Sequence, residues 1–332
     1  MNLNSFRLKI HFIHVKPKTT KKIVPLLLLH GWPGSVREFY EIIPKLTAGT
    51  EDVAFEVIAP SLPGYGWSEG AAKTGLGAID TSTIFYNLMV NKLGHKRFLV
   101  QGGDWGSLIG ASIAQLFPEN VIGYHSNMCA GSFSALNMIK GFIAGIHSTP
   151  FIPDEFADFV YPKEGSPFRF IIEESGYFHL QATKPDTIGH ALANNPVGLL
   201  AYIVEKFSTW TNKEYRKLAD GGLDNDYSRD ALLDNVMIYY LTNSITTSVR
   251  LYAESFTDKH RGYEIERVPT NVPTGCARFQ HDLMHSLDWQ LSSRFTNLIH
   301  SSYYRDGGHF AAMQKPDVLY KDFAEFVKKL KL

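Results

Sequence analysis

The chain has 332 residues, with 33 Lys and Arg balanced by 33 Asp and Glu, so its formal net charge is zero. This balance gives no electrostatic reason to expect a nucleic-acid partner or an anionic membrane surface. A chain of this length, with 44% hydrophobic residues, can bury a large core and still leave a pocket. The longest apolar run near the start, Ile23–Leu29, is too short to span a bilayer, and the chain as given is predicted to be soluble.

Short apolar strands dominate the first part of the chain. Leu8–Val15 alternates apolar and polar residues and is predicted to be a half-buried strand. Val24–Leu29 is a continuous apolar run, and Phe55–Ala59, Arg97–Val100 and Val121–His125 are further strand-like segments. Strands of this kind with helical patterns between them predict a mostly parallel sheet covered by helices on both faces.

The pattern changes in the middle of the chain, where strands are scarce. Val197–Phe207 and Asp230–Leu241 carry helical periodicity. Strand-like runs return at Asn271–Ala277 and Ile299–Tyr304, and a helix is predicted at Lys315–Leu330.

These elements predict an α/β fold interrupted by a helical insertion. The core comprises residues 1–131 and 268–332, and the insertion at 132–267 forms a lid over it. The two cysteines, Cys129 and Cys276, are too few for a disulfide framework. One bridge fits this count, but we expect two free thiols in a reducing compartment.

The sharpest motif is QGGDWGS at 101–107, which follows the strand-like RFLV and precedes a helical stretch, Leu108–Leu116. In α/β-hydrolases the nucleophile occupies such a strained strand-to-helix turn, flanked by small residues that permit close backbone approach. Asp104 holds that position here in place of the usual serine. Because a carboxylate is already ionised at neutral pH, it can attack an sp³ carbon without a base and form an ester. As an isolated motif, Asp104 would instead be interpreted as a helix cap.

The segment HGWPGS at 30–35 follows the most apolar strand. In this fold the corresponding loop supplies one backbone N–H of the oxyanion hole, and the residue after the nucleophile supplies the other. Trp32 and Trp105 are therefore the predicted donors. A cis Trp32–Pro33 bond would suit this tight turn.

A histidine suited to act as a base, His309, follows the last strand-like run in RDGGHF at 305–310. The chain order nucleophile, acid, histidine is that of α/β-hydrolases. Asp282, which follows the preceding strand closely, is the predicted orienting acid. Asp288, six residues later, is the alternative, with a helix cap as its ordinary explanation.

Together these residues resemble the microsomal epoxide hydrolases and the insect juvenile hormone epoxide hydrolases, over nearly the whole chain. The segments that carry the resemblance are HFIHVKP at 11–17, HGWPGS at 30–35, PSLPGYGWSE at 60–69, QGGDWGS at 101–107, ESGYFHLQATKPDT at 174–187, PVGLLAYIVEKFSTWT at 196–211 and DGGHFAAMQKPD at 306–317.

The resemblance implies the α/β-hydrolase fold and adds two residues, Tyr177 and Tyr252, as lid hydroxyls that hydrogen-bond the epoxide oxygen. It also favours Asp282, because the acid position of the family falls within FQHDLMH at 279–285. The implied reaction converts an apolar epoxide and water into a vicinal diol through an ester on Asp104. His309 and Asp282 would activate the water that hydrolyses this ester.

The resemblance also implies a cellular address, the endoplasmic reticulum membrane, and a foreign, fatty-acid or juvenile-hormone-like epoxide as substrate. Members of the family usually begin with a hydrophobic anchor and a segment that wraps the lid, both of which the chain as given lacks. No cofactor is expected. No metal is expected either, because His11 and His14 have the wrong spacing for one face of a strand.

Two alternatives remain at this stage. A haloalkane dehalogenase would use the same aspartate, but it lacks the paired lid tyrosines. A non-catalytic form that binds lipids or epoxides would fit a chain without the wrapping segment, although the set of Asp104, Asp282 and His309 argues against it.

Overall fold

A seven-stranded sheet runs through the described part of the chain, which comprises residues 8–131 and 172–332 of the computed structural model. The strands are β1 (Phe12–Val15), β2 (Lys22–Leu29), β3 (Val53–Pro60), β4 (Phe98–Gly102), β5 (Val121–Ser126), β6 (Thr274–Phe279) and β7 (Leu298–Tyr304). Their order in the sheet is β1-β3-β2-β4-β5-β6-β7. Strand β1 is antiparallel to β3, and the other neighbours are parallel.

The continuous apolar sequence of β2 explains its central place, because both faces of the sheet are covered. Leu26 and Leu28 point into one hydrophobic core, while Leu27 and Leu29 point into the other. Alternate residues of a strand face opposite sides, so a strand buried on both sides must be apolar throughout.

Helices lie on both faces of the sheet and above its carboxyl edge. They are α1 (Ile43–Ala48), α2 (Ala78–Asn87), α3 (Asp104–Leu116), α4 (Gly176–Thr183), α5 (Pro185–Ala193), α6 (Pro196–Thr209), α7 (Arg229–Leu241), α8 (Ile245–Ser255), α9 (Asp258–Gly262), α10 (Asp288–Leu291), α11 (Ala311–Gln314) and α12 (Pro316–Lys329). None of the helices in the described ranges combines the length and apolarity needed to cross a membrane.

The predicted fold class is confirmed, although the strand boundaries differ by a few residues, most of all at the start of β1. The predicted strand at 8–15 joins the sheet only from Phe12, because the preceding residues pair with a loop instead. The backbone of Lys9 accepts a hydrogen bond from the Glu69 N–H, and that of His11 accepts one from Ser61. The backbone of this segment therefore finds hydrogen-bond partners in a loop and needs no neighbouring strand.

The expectation of two free thiols is wrong. Cys129 and Cys276 form a disulfide, with their Cα atoms 6.0 Å apart. Cys276 lies in β6 and Cys129 follows the neighbouring strand β5, so sheet pairing joins residues that are 147 positions apart in the chain.

The segment from α4 to α9 is helical and lies between β5 and β6 in the chain, in the region where the lid was predicted. The first part of the predicted lid, residues 132–171, lies outside the described residues. The domain boundaries at 131/132 and 267/268 stay predictions.

Candidate active site

The predicted nucleophile stands on a sharp turn between β4 and α3. Asp104 has a φ of 48°, in the left-handed region that non-glycine residues rarely adopt. The turn packs tightly on β2, since a Cβ at Gly106 would lie 2.2 Å from the carbonyl oxygen of Leu29. Only glycine fits there, and the close approach presents the Asp104 carboxylate at the carboxyl edge of the parallel strands.

The loop after β2 reaches the same edge because β2 and β4 are paired neighbours, with Leu29 opposite Gly102. The backbone N–H of Trp32 donates to Oδ1 of Asp104 at 2.8 Å. The Trp32–Pro33 peptide bond is cis, as the sequence led us to expect. For the described residues the structure records this contact from Trp32 and none from the backbone of Trp105, whose role as a second donor stays a prediction.

Two carboxylates flank the predicted base. Nδ1 of His309 lies 2.6 Å from Oδ1 of Asp282, and Nε2 lies 3.4 Å from Oδ2 of Asp104. Burial by itself would lower the pKa of His309, but the two carboxylates outweigh burial and raise this pKa to about 10. The imidazole is therefore protonated at neutral pH as long as Asp104 is not esterified.

The two candidate acids have different surroundings. Asp282 is buried, with 1% of its side chain exposed, and its Oδ1 also accepts a hydrogen bond from the Leu283 N–H at 2.7 Å. The side chain of Asp288 is 53% exposed and pairs with Arg278 at 2.7 Å. The geometry therefore brings Asp282 to His309, while Asp288 pairs with the buried Arg278.

The rings of the two predicted lid tyrosines contact each other and the rings of two tryptophans. Tyr177, on α4, stacks on the Trp32 ring with centroids 5.1 Å apart. Tyr252, on α8, meets Trp105 edge-on at 4.8 Å, and the two tyrosine rings are 6.0 Å apart. Burial, reinforced by the charge of Asp104, raises the pKa of both phenols well above the ordinary value, so both keep their protons as donors.

Away from this site, three ligand atoms that could hold a metal come together. Those of His14, Glu56 and His95 lie within 4.8 Å of one another. The spacing of histidines along β1 could not reveal this group, because Glu56 lies in β3 and His95 in a loop. The carboxylate of Glu56 is already paired with Nε2 of His14 at 2.6 Å.

Comparisons with known proteins identify the family of the chain. A family model described as "alpha/beta hydrolase fold" matches residues 24–265, and one described as "Epoxide hydrolase N terminus" matches residues 1–39. Juvenile hormone epoxide hydrolase 2 of Ctenocephalides felis is 49% identical over 97% of this chain and 70% of its own length. Epoxide hydrolase 1 of Oryctolagus cuniculus is 44% identical over 96% of this chain and 72% of its own length.

The chain belongs to the epoxide hydrolase family of α/β-hydrolases. The structure of this epoxide hydrolase is similar to the crystal structure of juvenile hormone epoxide hydrolase from the silkworm Bombyx mori. The TM-score is 0.94 at 45% identity, covering 98% of this chain and 77% of that chain. The resemblance and the enzyme class predicted from the sequence are confirmed.

The epoxide hydrolase site contains further residues that the sequence analysis missed. Glu38 and Asn127 line a small cavity with Asp104 and His309. The carbonyl oxygen of Trp210 accepts a hydrogen bond of 2.8 Å from the His309 N–H. One signal could have found Glu38, which is a charged residue between Val36 and Phe39, both buried, only a few positions after HGWPGS.

Proposed function

We propose that this epoxide hydrolase converts an apolar epoxide into a vicinal diol through a covalent hydroxyalkyl ester on Asp104. One observation carries the proposal: a carboxylate, on a strained turn, has one oxygen bound to a backbone donor and the other facing an imidazole. This arrangement leaves Asp104 charged, oriented and close to a base that can act after the first step.

In the first step Asp104 attacks an epoxide carbon, the C–O bond breaks, and an alkoxide develops. The hydroxyls of Tyr177 and Tyr252 stabilise this oxygen and protonate it, and the phenol regains its proton from solvent. Both phenols remain protonated in the resting enzyme because burial and the charge of Asp104 disfavour ionisation.

Ester formation then changes the state of the base. The resting imidazolium of His309 is held by two carboxylates, and the ester removes the charge of Asp104. The pKa of His309 falls with the loss of that charge, and the proton leaves to solvent. His309 is protonated in the resting enzyme and becomes a neutral base once the ester has formed, when hydrolysis requires one.

In the second step His309 takes a proton from water as the water attacks the carbonyl carbon of the ester. The negative charge develops on the oxygen that Trp32 already contacts. The intermediate collapses with cleavage of the ester C–O bond, the diol oxygen takes the remaining hydroxyl proton, and Asp104 returns as an anion beside protonated His309. The cycle is balanced in atoms and charge.

The aromatic surroundings of Asp104 favour an apolar substrate. Four further rings lie in a connected set of contacts with the rings of the two tyrosines: Trp32, Trp105, Phe178 and Trp210. Such a surface binds hydrocarbon and leaves the hydroxyls as specific polar contacts. Several relatives are named juvenile hormone epoxide hydrolase. This chain is proposed to act on apolar epoxides, whether lipid-derived or foreign.

Single-turnover labelling tests the mechanism. Enzyme in excess over a simple aryl epoxide, in ¹⁸O-water, is expected to give a diol without label in the first turnover, because its new oxygen comes from Asp104. Asp104→Ala is expected to give no diol. Direct entry of solvent oxygen into the first-turnover diol would refute the ester.

A further inference from the structure

Three side chains that can ligate a metal meet at the edge of the sheet, outside the candidate active site. His14 lies in β1, Glu56 in β3, and His95 in the loop between the helical turn Leu88–Lys92 and β4. Nε2 of His14 is 2.6 Å from Oε1 of Glu56, and Nε2 of His95 is 3.7 Å from the same oxygen. The ligand atoms of all three residues lie within 4.8 Å of one another. None of the three lines the cavity at Asp104, and the proposed reaction gives them no role.

The backbone brings the three donors together before any ion binds. Strands β1 and β3 are antiparallel, with His14 opposite Ile58. Glu56 is two residues from Ile58, so its side chain projects from the same face of the sheet as that of His14. The loop is held beside them by a hydrogen bond of 2.9 Å from the His95 N–H to the Met89 carbonyl oxygen. A ligand set that is already arranged loses little conformational freedom on binding.

The ring of His95 supplies the observation that points to a ligand. Its Nε2 atom is buried and has no hydrogen-bond partner among the residues that the structure describes, since 3.7 Å to Glu56 is too long for a hydrogen bond. Buried polar groups are nearly always satisfied, because one without a partner costs stability. The side chains of His14, Glu56 and His95 are 25%, 13% and 17% exposed, which leaves a cation a path from solvent to this nitrogen.

Two imidazoles and a carboxylate are ligands that Zn²⁺ takes in proteins, with nitrogen and oxygen donors about 2.0–2.2 Å from the ion. Ligands at that distance around a tetrahedral ion are about 3.4 Å from one another. The separations of 2.6 and 3.7 Å from the Glu56 oxygen lie on either side of this value, so small side-chain movements complete the set.

Lys16 is the neighbouring cation that competes with a metal ion for Glu56. Its ammonium group is 3.7 Å from Oε1 of Glu56, and its side chain is 73% exposed. An ion pair with so exposed a partner contributes little stability. The long side chain can therefore turn into solvent when a divalent cation takes its place.

We propose that His14, Glu56 and His95 form a binding site for a divalent transition-metal ion such as Zn²⁺, with water as the fourth ligand. The bound ion connects β1, β3 and the loop before β4, which are distant in the chain. In the described sheet β1 is an edge strand and pairs only with β3, so the ion gives it a second attachment. The ion stabilises the fold and takes no part in the chemistry at Asp104.

Calorimetric titration of Zn²⁺ into the full chain, first freed of metal with a chelator, tests the site. The wild type should bind one ion per chain. A hundredfold excess of Zn²⁺ over its Kd should raise the Tm by about 5 °C, because the ion binds the folded state. His95→Ala should weaken binding by about 10²-fold or more and abolish the rise in Tm. His190→Ala, which removes an exposed histidine of α5, is the matched control and should bind as the wild type does.

Two further variants make the result decisive. Glu56→Gln keeps the side-chain volume and can still hydrogen-bond His14, so it guards against a folding defect. It should also weaken binding, because an amide is not among the usual Zn²⁺ ligands. His309→Gln should bind as the wild type does, and loss of binding there would place the ion at the candidate active site instead. That result, equal affinity in the wild type and His95→Ala, or a wild type that binds no ion would each overturn the inference.

Discussion

The backbone N–H of Trp32 donates a hydrogen bond of 2.8 Å to Oδ1 of Asp104. The oxygen that would carry the tetrahedral charge is therefore in contact with its donor before any substrate arrives. A donor that is already aimed at the developing charge needs no rearrangement during the reaction. Because the donor is a main-chain group, side-chain substitution at Trp32 cannot remove it, and the informative variants lie elsewhere in the site.

The His309→Gln variant should trap the ester. The amide keeps most of the side-chain volume but cannot accept the proton of water. Ester formation needs only the carboxylate and the tyrosines, so it should continue. Diol formation should fall by at least about 10²-fold, as when a general base is removed, and mass spectrometry should show a stable adduct on a peptide containing Asp104. Slow diol formation without an adduct would contradict the separate roles of the two residues.

The Tyr177→Phe and Tyr252→Phe variants should slow the first step. Each removes one donor to the developing alkoxide, which typically costs about 10²-fold in rate. The double variant should be slower than either single variant, and in all three the hydrolysis rate of ester that does form should be little changed. Single-turnover measurement of adduct formation checks this prediction. Phe also preserves the size of the side chain, since the ring contacts with Trp32 and Trp105 remain possible. Unchanged adduct formation would exclude both hydroxyls from a role in the first step.

The Asp282→Asn variant should lower the pKa of His309. Burial lowers this pKa, and the Asp282 carboxylate is the strongest of the influences that raise it to about 10. Without that charge, the imidazole signal in an NMR titration should move at a clearly lower pH. Asp288→Asn is the control, because its ion pair with Arg278 is separate from His309, and it should leave the titration unchanged. A His309 titration that responds to Asp288 and not to Asp282 would reverse the assignment of the acid.

The same pKa predicts how the stability of the protein depends on pH. The folded-state pKa of about 10 lies above the ordinary value for His309, so the stabilisation is fully present below about 6.5 and is lost as the pH rises toward 10. The free energy of unfolding of the wild type, relative to His309→Gln, should therefore decrease across that alkaline range. Chemical denaturation at a series of pH values measures it, and a constant difference would contradict the raised pKa.

A second buried cluster, made of one carboxylate and two histidines, should govern acid stability. Asp322, on α12, lies 2.8 Å from Nε2 of His125 and accepts a hydrogen bond of 2.7 Å from the Tyr304 hydroxyl. Burial opposes its charge, but the histidines His125 and His300 dominate and hold the pKa of Asp322 far below its usual range. Asp322→Asn should cost about 1–3 kcal/mol, because buried hydrogen-bonding groups lose a charged partner.

The pH dependence of this cluster has the opposite sign to that of His309. A carboxylate with a lowered pKa stabilises the fold above its unfolded pKa, about 3.9, and that contribution is lost as the pH falls below it. The wild type should therefore lose stability in acid more steeply than Asp322→Asn. Equal slopes for the two proteins would show that Asp322 is not the group responsible.

The sequence predicted those parts of the candidate site whose residue types are dictated by local backbone geometry. Gly106 had to be small because β2 passes against it, so the elbow and Asp104 could be found from the residues alone. The histidine followed from its tight glycine loop and from chain order. Tyr177 and Tyr252 came only from the resemblance, since nothing local distinguishes a donor phenol from a packing phenol.

What escaped the sequence depends on contacts between distant segments. The disulfide joins Cys129 and Cys276 because their strands happen to be neighbours in the sheet, an order that no local pattern reveals. Residues 8–11 alternate like a strand, yet they pair with a loop. Glu38 carried no prediction, because only the folded chain brings it into the cavity beside Asp104.

The hydrogen bond from the His309 N–H to the Trp210 carbonyl has a consequence for how such enzymes can diverge. A Cβ at Gly308 would lie 2.2 Å from that same carbonyl oxygen, so the base rests directly on the main chain of the inserted segment. The segment between β5 and β6 therefore supports the loop that carries His309. An exchange of lids between related enzymes can alter the aromatic surface freely, but it must reproduce the path of the main chain at Trp210. A core without that segment would keep the turn that carries Asp104 but would lose the main-chain hydrogen bond that holds His309.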